Sequence, residues 1–122
     1  MTITLPLPDK RLSPNGRIHW RERSKKVRIA RLMAAYLATG DLNQLPSVPT
    51  FTGYSLAFFY PDARKRDDDN TEGSFGIKAY RDGIADALKM DDHGLKKMAV
   101  STFAIDRDRP RVEITLIAPS SK

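Results

Sequence analysis

Three carboxylates and an amide, Asp67, Asp68, Asp69 and Asn70, follow directly on Arg64, Lys65 and Arg66. Oxygen ligands of this kind suit a hard divalent cation such as Mg2+, which keeps several waters and completes its shell with one or two protein carboxylates and phosphate oxygens. The basic triplet beside them attracts DNA phosphates, which the acids alone would repel. In extended chain alternate side chains point the same way, so Asp67 and Asp69 can converge on one ion while Asp68 faces away. A calcium loop of the EF-hand type fits poorly, because the positions that must carry Gly and Glu carry Glu72 and Lys78, counting from Asp67. A solvated acidic turn is the competing reading of the same run.

A second acidic pair, Asp91 and Asp92, follows a helical segment and stands in a turn with His93 and Gly94. Carboxylates gathered from both places would repel one another and raise each other's pKa unless a cation lay between them. Lys78 falls between the two clusters. It can stabilise negative charge on a phosphate, or simply pair with Asp82 four residues on. Near the N-terminus, in Ser13-Pro14-Asn15-Gly16-Arg17-Ile18-His19-Trp20, the side chains of Asn15, Arg17 and His19 can contact phosphate. Trp20 can stack on a base or pack under a helix, and core packing is the expectation.

The elements that must position these groups are legible as periodicities. Thr2 to Leu5 alternates and reads as a strand; Arg21 to Thr39 carries Ile29, Leu32, Met33, Tyr36 and Leu37 at helical spacing, with Gly40 as its stop. Phe51 to Tyr60 reads as a second strand closed by Pro61. Ile77, Tyr80, Ile84, Ala87 and Leu88 mark the buried face of a second helix. Lys97 to Ile105 and Arg111 to Ile117 follow as two more strands, with a polar turn from Asp106 to Pro110. The order β-α-β-α-β-β predicts an α/β (α+β) domain over residues 1–122, with a mixed four-stranded sheet and two packed helices.

Composition narrows the function classes. The chain has 122 residues, no cysteine and a net charge of +6, with a pI near 9.8. Thiol catalysis, Cys-ligated zinc and disulfides are thereby removed, and no apolar run approaches the roughly 20 residues of a membrane helix. The N-terminus does not read as a signal peptide, so a cytoplasmic protein is expected. The basic excess is clustered: Lys10, Arg11, Arg17, Arg21, Arg23, Lys25, Lys26, Arg28 and Arg31 face a single acid, Glu22, over residues 10 to 31. Such an arm is a nucleic-acid footprint or a solvated helix face, and the absence of a strong Trp or Phe face weighs against an anionic membrane.

Taken in order, Ser13-Pro14-Asn15 with Arg17, His19 and Trp20, then Arg66 to Asn70, then Lys78-Ala79-Tyr80-Arg81-Asp82-Gly83-Ile84-Ala85-Asp86-Ala87-Leu88, then Asp91-Asp92, resemble the RusA family of Holliday junction resolvases, common in phages and prophages. The resemblance runs through nearly the whole chain, leaving out Asp41 to Pro49 and the C-terminal tail. It implies a crossover junction endodeoxyribonuclease of DNA recombination and repair, with Asp67, Asp69 and Asp92 binding Mg2+, or Mn2+ in its place. It also implies that Lys78 is needed for cleavage. Asp92 is preferred to Asp91 because the family's catalytic acid is the second of its pair. A homodimer is implied too, since two active sites related by a two-fold axis can cut opposed strands of a four-way junction. Asn15, Arg17, His19, Arg21, Lys25, Lys26, Arg28, Arg64, Lys65 and Arg66 are the expected DNA contacts. The rival readings are a related nuclease acting on flaps or forks, and a non-catalytic DNA-binding or regulatory protein.

Overall fold

Period-two alternation in three segments builds the centre of the sheet. In a computed structural model, which describes residues 1–14, 16–64, 72–90 and 94–119, the elements are β1 (Thr2–Leu5), a 3-10 turn (Lys10–Leu12), α1 (Trp20–Leu42), β2 (Gly53–Tyr60), α2 (Phe75–Leu88), β3 (Lys96–Lys97), β4 (Thr102–Ile105) and β5 (Arg111–Ile117). Strand β5 lies between β1 and β2 and is antiparallel to both; β3 and β4 run parallel to β2 on its other side. Parallel neighbours need a crossover, and α2 supplies it between β2 and the β3/β4 edge.

The fold is thus the mixed α+β arrangement expected, with five strands in place of four. The segment read as one strand, Lys97 to Ile105, is broken at 98–101 into two short strands along the same edge of β2. Crowding marks the break, because a β-carbon on Gly53 would stand 2.1 Å from Met98 Cγ.

Ile3, Leu5, Tyr54, Leu56, Phe58, Tyr60, Val112, Ile114 and Leu116 face one way and are buried in a single core with both helices. The opposite face is more polar. There the Arg111 guanidinium lies 3.9 Å from the Phe59 ring centre and bonds Asp106 at 2.7 Å and Glu113 at 3.0 Å.

Helix α1 buries a different face from the one its large residues suggest. Ala30, Ala34, Ala38 and Leu42 are in the core, whereas Ile29, Leu32 and Tyr36 are 57%, 63% and 79% exposed. The reason is close approach to α2, where a β-carbon on Gly83 would stand 2.2 Å from the Arg31 carbonyl oxygen and 2.9 Å from the Ala34 β-carbon. Only alanines fit there, so Ile29, Leu32 and Tyr36 turn outward, while Val27, Met33 and Leu37 are partly buried against the core. Arg31 and Asp86 fasten the same interface through two hydrogen bonds of 2.7 and 2.9 Å, which hold the Asp86 carboxyl below its usual range. Gly40 does not stop the helix, which runs on until Leu42 has entered the core.

The segment between β1 and α1 is pinned to both helices. Asp9 accepts the Arg11 backbone N–H at 2.9 Å and pairs with the Arg11 and Lys26 side chains, both at 3.2 Å. Those contacts, Arg11 foremost, pull its carboxyl down to about 2. Arg11 also reaches Glu22 at 3.0 Å. From α2, the Tyr80 hydroxyl donates to the Pro6 carbonyl at 2.8 Å, and burial pushes the phenol up to about 12. Among the described residues no helix is long and apolar enough to cross a membrane.

Candidate functional site

Of the expected site residues, Lys78 lies on described structure, while Asp67, Asp69 and Asp92 lie outside it, as do Asn15, Lys65 and Arg66. Lys78 sits one turn into α2, whose start is capped by Ser74 accepting the Gly76 N–H at 3.0 Å. Its Nζ is 3.0 Å from Asp82 Oδ2. The lysine side chain is 58% exposed and the aspartate 14%, so the covered carboxylate steers an ammonium group that solvent and ligands still reach.

The flanks of the two acidic segments are described, and they meet. Arg64 leaves the end of β2 with its backbone N–H on Asp62 Oδ1 at 3.0 Å and its side chain exposed. Glu72 begins the described chain again, and its Oε2 accepts from Lys97 Nζ at 2.8 Å. Lys97 belongs to β3, which starts just after Gly94 and the buried Leu95. One ion pair therefore joins the exit of the first acidic segment to the strand that follows the second. Lys97 holds the Glu72 carboxyl below its usual range; the buried Ser101 hydroxyl adds a smaller pull without meeting hydrogen-bond geometry. A partly exposed pair of this kind is worth about 1 kcal/mol or less, so its importance is positional.

Beside it Arg81 donates to the Tyr54 hydroxyl at 3.0 Å, and Tyr54 pairs in register with Lys97. Neither the Glu72–Lys97 pair nor the Arg81–Tyr54 contact was legible in the sequence, because both join residues 25 or more positions apart. Among the described residues no three His, Asp or Glu side chains stand close enough to hold a metal ion. The donors expected to do so, three carboxylates, have the chemistry a hard cation takes.

Arg17, His19, Arg21, Lys25 and Arg28 are all exposed. At i, i+4 and i+7, Arg21, Lys25 and Arg28 form one ridge along α1. Lys26 is half-buried and engaged by Asp9, which makes it part of the scaffold. His19 caps α1, its Nδ1 accepting the Arg21 N–H at 3.2 Å. Trp20 overturns the expectation of core packing: it is 60% exposed. Its ring stacks on His19, with centroids 5.8 Å apart, and carries the Arg21 guanidinium 5.2 Å from its centre. As the first residue of α1 it projects ahead of the Ala30–Ala34–Ala38 face and finds no core to enter.

No protein-family model matches the chain. A protein of Xylella fastidiosa (strain Temecula1 / ATCC 700964), described as uncharacterized, is 47% identical over 93 residues, which cover 75% of this chain. The chain spans 60% of that relative's length.

Proposed function

We propose that this chain is a Mg2+-dependent endodeoxyribonuclease selective for branched DNA, which resolves four-way junctions as a homodimer in the cytoplasm during recombination and repair. The observation that carries this reading is the Glu72–Lys97 ion pair of 2.8 Å, with the exposed Lys78 ammonium in the first turns of the helix that follows Glu72. Asp69 is three residues from Glu72 and Asp92 is five from Lys97. At no more than about 3.5 Å per residue, those separations keep Asp69 within about 10 Å and Asp92 within about 18 Å of the pair, which is compatible with a shared site.

Asp67, Asp69 and Asp92 would hold the cation, which supplies an acidified water and offsets charge on the leaving oxygen. The chain's own groups do the rest. Lys78, steered by Asp82, stands as a point charge for a non-bridging phosphate oxygen. Arg17, Arg21, Lys25, Arg28 and Arg64, with Lys65 and Arg66, hold the DNA arms through phosphate contacts that carry no sequence information. Two-fold symmetry matches two such sites to the two opposed strands of a junction, where a single site would leave a nick.

The test compares cleavage of junction, fork and plain duplex DNA by the wild-type protein with Mg2+ or Mn2+ at matched salt. Junctions are expected to be cut in preference, and Asp69→Asn to reduce cutting on the order of 1,000-fold while junction binding persists. Equal cutting of plain duplex, or junction binding that never leads to cleavage, overturns the proposal.

A further inference from the structure

Two aromatic rings stand at the surface with a guanidinium over each. Trp20 opens α1, 60% exposed, under Arg21; Phe75 opens α2, 38% exposed, with Arg23 4.9 Å from its ring centre. The Arg23–Phe75 contact brings the first turn of α1 against the first turn of α2, where the chain emerges from the acidic segment at Glu72. We infer that Trp20 and Phe75 form a stacking track for unpaired bases of single-stranded DNA along the adjoining starts of the two helices.

Several observations favour a base over a protein partner. Trp20 is separate from the apolar stripe of α1: at about 100° per residue, Ile29 lies half a turn away, and Leu32 and Tyr36 lie on that far side. The indole is instead flanked by His19, on which it stacks, and by Arg21, whose guanidinium lies over its ring. Aromatic faces interleaved with arginines are the pattern that binds single strands, because every base has a π-face and every nucleotide a phosphate. Arg21 and Arg23 fit both halves of that task. A base settling on either ring displaces a guanidinium that is then free to meet the adjoining phosphate. A branch point is where such bases become available in otherwise paired DNA.

The inference rests on the DNA-binding half of the proposed function and is independent of metal and cleavage. Trp20 is the sole tryptophan of the chain, so indole fluorescence reports on this position alone. The full-length protein is titrated without divalent metal against an oligothymidine strand and a blunt duplex, with binding followed separately by the anisotropy of labelled DNA. Single-stranded DNA is expected to quench the emission, and duplex at equal saturation to leave it nearly unchanged. Trp20→Ala should weaken single-strand binding about tenfold or more and duplex binding less than twofold, with Trp20→Phe retaining most of the affinity and Phe75→Ala showing a smaller loss. Circular dichroism checks that each variant is folded.

Unchanged emission with bound single strand overturns the inference, as do equal quenching by duplex and a Trp20→Ala variant that binds like the wild type. Failure to bind single strands, or emission that shifts with protein concentration alone, has the same consequence. Metal-dependent junction cutting with a silent Trp20 removes the stacking track and leaves the nuclease reading standing. Quenching by single strands in a protein that cuts nothing does the reverse.

Discussion

Helices α1 and α2 are the two long elements of one layer, yet they relate to the rest of the molecule in opposite ways. Helix α2 is enclosed: Ile77, Ala79, Tyr80, Gly83, Ile84 and Ala85 are buried, and its start is pressed against Pro8 at Gly76. Helix α1 fully buries only Ala30, Ala34, Ala38 and Leu42, packs Val27, Met33 and Leu37 partly against the core, and shows solvent most of its arginines and lysines with Ile29, Leu32 and Tyr36. Stability and surface chemistry are thereby divided between them. The enclosed helix holds Lys78 and Asp82 in fixed register, 3.0 Å apart. The outer one can carry a dense positive charge because its packing contact uses side chains too small to compete for space.

The same substitution in each helix breaks or sharpens this contrast, and the largest effect falls on α2. Gly83→Ala drives a methyl into the Arg31 carbonyl, and a loss of about 2–3 kcal/mol is expected in urea denaturation. A loss below about 0.5 kcal/mol would mean that α1 is less closely seated than described. Gly40→Ala in α1 meets nothing within 4 Å and should raise stability by about 0.5–1 kcal/mol, since alanine is the better helix former at an unconstrained site.

The smallest effect concerns the clamp that ties the N-terminal segment to α1. The Asp9 carboxyl lies near 2 in the folded protein, below its ordinary value of 3.8, so its stabilisation is present above about pH 4 and is lost as the pH falls toward 2. Asp9→Asn should therefore cost stability at neutral pH and converge with the wild type near pH 2. Discounted for an exposure of one third, the neutral-pH difference is about 1 kcal/mol at most. A gap of equal size at pH 2 would assign the clamp to something other than charge.

These contrasts also explain what the sequence could and could not reveal. Strands β1 and β5 were legible at their exact bounds because one face is buried and the alternation is unbroken. The packed face of α1 was read only in part, since Met33 and Leu37 do pack against the core while Ile29, Leu32 and Tyr36 do not: large apolar residues mark a helix without saying which side another helix will approach. The better signal was the four-residue spacing of Ala30, Ala34 and Ala38, paired with a glycine far along the chain. The acidic runs suggest a chemistry by residue type and spacing alone, and they lie outside the described residues. The Glu72–Lys97 ion pair was not legible, because its partners meet only through the β2-α2-β3 crossover.

The position of β5 has a consequence for how the protein comes into being. Among the described residues, β5 is the final strand in sequence, lies between β1 and β2, and is the one strand with which β1 pairs. Until residues 111–117 have left the ribosome, the first strand has no edge to join and the apolar side of β2 lacks Val112, Ile114 and Leu116 as neighbours. Folding of the sheet is therefore coupled to the synthesis of β5, and a nascent chain halted before Arg111 exposes edges of β1 and β2 that β5 otherwise covers.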